Sequence, residues 1–140
     1  MEQNTYALHE HCDVGQGRAK LFDYYAQSED FTIIPGRYGG ELNNDMLAIG
    51  EKNGSTVLSL GLKALDPNGS FVIDTMSLGP HKQFSSSWLN VLVYSLEQSE
   101  VTRHFADAIS FARESETLVL EFVFVEPMTR CFTTIRVVAD

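Results

Sequence analysis

The densest set of side chains that could hold a metal or move a proton is His9-Glu10-His11-Cys12-Asp13. In an extended strand His9 and His11 project to the same side, which lets two imidazoles share one metal ion with a more distant third ligand. His81, His104 and Cys131 have the right chemistry for that third position, but nothing in their spacing selects one of them. A polar stretch near a chain end is the plainer account of such a cluster. His9 and His11 therefore stand as weak metal candidates, and the expectation is a chain without metal or cofactor.

Arg37-Tyr38-Gly39-Gly40, after Pro35-Gly36, could bring backbone N–H groups and one guanidinium to an anion. Neither common nucleotide-binding glycine spacing is present, so an ordinary connecting loop is the simpler reading. Arg37 and Tyr38 remain candidates for contact with a partner protein, because arginine and tyrosine are enriched at interfaces. Ser85-Ser86-Ser87 and Cys131 could act as nucleophiles, yet neither lies in a Gly-x-Ser-x-Gly elbow or has a histidine partner at a readable spacing. Cys131 reads as a small buried apolar group. Glu121 and Glu126 are five apart on one strand and face opposite ways, so they are not a paired acid and base. Glu121 shares its face with Val119, Val123 and Val125 and is the charge in that strand that needs an explanation: a core edge, an ion pair with Arg136, or a partner contact.

The elements that must position these groups are clearest at the C-terminal end. Val101, Phe105, Ala108, Ile109 and Ala112 recur at helical spacing, with charged residues between them. Two β-rich runs follow, 117–125 and 131–139, joined by a connection short enough for a hairpin. In the first run Leu118, Leu120, Phe122 and Phe124 alternate with Val119, Val123 and Val125, so both faces are apolar and the strand reads as central.

Earlier in the chain, residues 1–12 read as an extended arm or a short strand, and the spacing predicts a helix over 17–27 with Ala19, Phe22, Tyr25 and Ala26 on one side. A short strand is expected at 31–34. Asn53-Gly54 suits a two-residue type I′ turn between strands 46–51 and 56–62. That turn would set Ile49 opposite Leu58 and Leu47 opposite Leu60, so four apolar side chains share one face. Asp66-Pro67-Asn68-Gly69 reads as a second turn, with a third strand over 71–78. The stretch 88–94 carries both helical and strand signals, and a helix capped by one of the preceding serines is favoured. The expected fold is one α+β domain over 1–140, a mostly antiparallel sheet of five to six strands with two or three helices packed on one face.

The chain has 140 residues and a net charge of −9, with the acidity spread over both halves. Such a field disfavours nucleic-acid phosphates and anionic membranes and favours basic proteins. Two distant cysteines make no disulfide framework, and no run of about 18 apolar residues is long enough to span a membrane. A reducing, cytoplasmic setting is expected. At the level of fold alone, the element order and acidic size loosely resemble the small secretion chaperones that bind effector proteins, without their closing helix.

Together these features point to a non-catalytic acidic module, an inhibitor, immunity-type or chaperone-like protein holding a basic partner, with room for a homodimer. Its expected contact residues are Arg37, Tyr38 and Trp88, the last if exposed, with Glu41, Asp45 and Glu51 as solvated acids on the first hairpin. The alternative is a small metal-dependent or anion-binding enzyme using His9 and His11 or the Arg37–Gly40 loop.

Overall fold

In the computed structural model, which describes residues 3–7, 17–126 and 131–140, Asn53 and Gly54 both take positive φ, 55° and 81°. The turn they make sets the register foreseen for it, Ile49 opposite Leu58 and Leu47 opposite Leu60. In chain order the elements are β1 (Gln3–Ala7), α1 (Arg18–Ser28), β2 (Thr32–Ile34), β3 (Met46–Lys52), β4 (Ser55–Lys63), α2 (Ser86–Glu97), α3 (Arg103–Glu114), β5 (Leu118–Glu126) and β6 (Cys131–Val137). The strands form one six-stranded sheet in the order β1-β6-β5-β4-β3-β2. All neighbours are antiparallel except β4 and β5, which run parallel because α2 and α3 carry the chain back across the sheet. The fold is α+β, with a mostly antiparallel sheet.

The helices do not share one face. Leu47, Ile49, Leu58, Leu60, Leu120, Phe122 and Phe124 pack against Leu89 and Leu92 of α2 and Phe105, Ala106 and Ile109 of α3. On the opposite face Ala48, Val57, Leu62, Val123 and Phe132 pack against Leu21, Phe22, Tyr25 and Ala26 of α1. The cause is the double apolar pattern of β5: with α2 and α3 on the phenylalanine side, the valine side would stand in water unless another element covered it.

Residues 71–78 do not form the expected third meander strand. The position beside β4 is occupied by β5, whose longer apolar run wins the pairing. Phe71 instead packs its ring on Phe122 and Phe124, with centroids 5.4 and 4.7 Å away, so the segment covers the sheet rather than extending it.

The ambiguous stretch around Trp88 is helical. Ser85 caps α2 by accepting the Trp88 backbone N–H at 3.2 Å, and Trp88, Leu89, Leu92 and Leu96 are its buried stripe. In α3 the buried stripe is Phe105, Ala106, Ile109 and Ala112. Val101 lies before the helix starts and, like Ala108, is exposed, so the first and the middle residue of the expected stripe fall outside the core and Ala106 joins it. No helix among the described residues is long and apolar enough to cross a membrane.

Candidate functional site

Lys63 ends β4 on the face covered by α2 and α3, because the β4–β5 register shifts between Gly61 and Lys63. Its ammonium is buried and paired with Asp45 at 2.7 Å. It also donates to Gln83 Oε1 at 2.7 Å and lies 5.7 Å from the Phe122 ring centroid. Gln83 in turn donates from Nε2 to Asp45 Oδ2 at 2.9 Å and to the Tyr38 carbonyl at 2.8 Å. Every charge at this depth thus has a partner, which burial demands.

Two loops close over the pair. Tyr38 N–H donates to the Asp45 carbonyl and Asp45 N–H to the Gly39 carbonyl, both at 2.9 Å. From the other loop, Asp74 accepts the Gly40 N–H at 2.8 Å and the Met76 N–H at 2.9 Å. These two backbone bonds, Met76 first, hold the Asp74 carboxyl below its usual range, against a smaller opposing effect of burial. Gly39 and Gly40 have φ of 93° and 78°, and a Cβ on Gly40 would lie 2.2 Å from Asp45 Oδ2. Only glycine allows the loop this conformation and this approach to the buried carboxylate.

Above the buried pair lies a cavity of about 460 Å³ bordered by Gly40, Glu41, Asp45, Lys63, Asp66 and Asp74, with Ala64, Phe71 and Val72 as its apolar wall. Glu41, Asp66 and Asp74 form no ion pair among the described residues. Since Lys63 is spent on Asp45, the remaining charges at the cavity are all negative. Val72 on that wall is 77% exposed, and the two loops carry two more large apolar side chains that stand out of the surface, Leu42 at 82% and Met76 at 70% exposure.

The residues expected to meet a partner divide. Arg37, Glu41 and Glu51 are exposed. Tyr38 is not: it is 5% exposed, its ring stands edge-on to Trp88 at 6.4 Å, and burial pushes its phenol up to about 12. Trp88 is fully buried and donates from its indole nitrogen to Ser77 Oγ at 2.8 Å. Asp45 is 1% exposed and holds Lys63 rather than facing solvent. Large aromatic rings contribute most when buried, and a carboxylate next to a buried lysine is drawn inward with it.

The anion-cradle reading of residues 37–40 loses three backbone donors, because the Tyr38, Gly39 and Gly40 N–H groups go to Asp45, Asn43 and Asp74, and keeps the exposed Arg37 guanidinium. His9 and His11 lie outside the described residues. Among the described residues no three His, Cys, Asp or Glu side chains group closely enough to hold a metal ion.

Ser87 Oγ lies 3.1 Å from His81 Nδ1, a nucleophile-to-base contact that spacing did not reveal. Ser87 is exposed, neither residue borders the cavity, and among the described residues no third group orients the other ring nitrogen. Glu121 is explained on the α1 face: it is buried, accepts hydrogen bonds from Tyr25 Oη and, at 2.7 Å, from Ser59 Oγ, and lies opposite Arg136 in the β5–β6 register. Burial, and after it the Glu121 charge, raise the Tyr25 phenol above its ordinary range, so Tyr25 stays a proton donor to the carboxylate.

Lys63, Asp66, Phe71, Val72 and Asp74 form the cavity and were not singled out from spacing. Lys63 gave one signal, the single charge of its strand, placed at the strand's end. The chain matches no protein-family model, no curated protein and no solved structure.

Proposed function

We propose that this protein is a non-catalytic binding module that holds a basic protein partner, in a reducing, cytoplasmic setting. The observation that carries the reading is the cavity itself, where an apolar wall of Ala64, Phe71 and Val72 stands beside Glu41, Asp66 and Asp74, negative charges that form no ion pair among the described residues. Exposed Leu42 follows Glu41 in the chain, and exposed Met76 lies two residues after Asp74. Protruding apolar side chains supply contact area, while a field of one sign selects the partner's charge and speeds encounter. The net charge of −9 acts in the same direction over a longer range. Inhibitors, immunity-type proteins and chaperone-like proteins all work by such stoichiometric contact, and the cavity suits any of them.

The reading is tested by pull-down from the native cell with the wild-type chain and a Glu41→Lys/Asp66→Lys variant, both sites being exposed. The expected result is a basic protein recovered in stoichiometric amount by the wild type and lost with the variant. Equal recovery by both, or recovery only of acidic proteins, would overturn it.

A further inference from the structure

Resting on the binding reading above, we infer that the group entering the cavity is an arginine side chain, presented by the partner on a short apolar segment. The cavity, about 460 Å³, falls within the range of about 300 to 1,000 Å³ typical of ligand sites and admits a long side chain with part of its flanking backbone. Its wall of Ala64, Phe71 and Val72 suits an aliphatic stem. Phe71, a lining residue, is held against Phe122 and Phe124, so an aromatic ring is fixed in place at the cavity, and aromatic rings attract guanidinium groups.

The charges decide which cation. Glu41, Asp66 and Asp74 come from three separate segments around the opening, and no three acidic side chains converge closely enough to hold a metal ion among the described residues. A small, hard cation requires such convergence, whereas a guanidinium spreads its charge over five N–H donors in a planar fork and serves separated acceptors. Asp74 is already immobilised by two backbone N–H groups and kept anionic by them, so one acceptor is ordered before the ligand arrives. Lys63 does not repel the incoming charge appreciably, because Asp45 neutralises it at 2.7 Å. Val72 on the wall, with exposed Leu42 next to Glu41 and exposed Met76 two residues after Asp74 in the chain, offers apolar surface to neighbours of the arginine.

The test uses the whole chain and three synthetic pentapeptides, blocked at both ends, of sequence alanine-leucine-X-leucine-alanine, where X is arginine, lysine or citrulline, the neutral isostere of arginine. Binding is followed by amide chemical shifts in ¹H–¹⁵N NMR spectra. The arginine peptide should shift the amides of Gly40, Glu41, Ala64, Asp66 and residues 71–74. The citrulline peptide should bind about tenfold more weakly, since it loses the charge-assisted hydrogen bonds. A Glu41→Gln/Asp66→Asn variant should lose most of the response while its remaining spectrum stays that of the folded protein.

Equal binding of the arginine and citrulline peptides, shifts centred elsewhere, or no response would overturn the inference. Equal binding of the lysine peptide would overturn the preference for arginine. The two readings fail separately: salt-sensitive capture of a basic partner without an arginine response sinks this inference alone, and an arginine response without any protein partner sinks the binding-module reading.

Discussion

Lys63 is where the fold and the candidate site meet. Strict alternation along β4 would send it to the same face as Ser59, towards α1, but the register shift after Gly61 turns it towards Asp45 and Gln83. There it ties the end of β4 to both loops that shape the cavity. Lys63→Met should therefore lower stability by about 3 to 5 kcal/mol, the cost of leaving a buried partner charge uncompensated. Urea unfolding followed by circular dichroism measures it, and a loss below about 1 kcal/mol would mean that Asp45 finds water or another partner. The same residue shows why the site was hard to read from sequence. Tyr38 and Trp88 have the residue types of an interface, but tyrosine and tryptophan are equally at home in a core, and Asp45, which reads as a solvated acid on the first hairpin, is recognisable as buried only once its lysine is known. Asp66 and Asp74 look like ordinary loop acids until the loops bring them to one cavity.

Among the elements, those set by short-range patterns were legible. The Asn53-Gly54 turn fixed the β3–β4 register, and the alternating phenylalanines and valines of β5 announced a strand covered on both sides. What pattern could not supply was the competition for the place beside β4. The 71–78 run has strand chemistry, but β5 takes the pairing and leaves Phe71 to cover the sheet. The position of α1 was misjudged for a related reason: its apolar stripe suits either face, and only the valine side of β5 lacked a cover. Phe122 lies at the centre of this arrangement, fully buried beneath Phe71 and Phe84 and close to Lys63. Phe122→Ala should cost about 3 to 5 kcal/mol, because the cavity it leaves is surrounded by rings and sheet that cannot collapse into it. Thermal or urea unfolding checks the figure. A loss under about 1 kcal/mol would contradict the central position of β5.

At the scale of the whole molecule, the net charge of −9 acts on any partner before contact is made. Around physiological salt, interactions beyond about 8 to 10 Å are screened, so the encounter rate with a basic partner should fall as ionic strength rises. Dissociation should change much less, since it is governed by the desolvated centre of the contact, which we propose is the cavity with its apolar wall. The acids to reverse are Glu41 and Glu51, which are exposed, and not Asp45, whose reversal would set two cations together in the interior. Glu41→Lys/Glu51→Lys should slow association and flatten its salt dependence while leaving the unfolding midpoint nearly unchanged. Stopped-flow or surface-plasmon measurements with the captured partner at several salt concentrations separate the two rates. Of the pair, Glu41 borders the cavity and Glu51 sits beside the Asn53-Gly54 turn, so the single variants divide local contact from long-range steering. Glu41→Lys should also raise the dissociation rate, and Glu51→Lys should alter association alone. An association rate indifferent to salt and to both reversals would reduce the acidity to a means of staying soluble, and the contact would then have to rest on Leu42, Val72 and Met76 without help from charge.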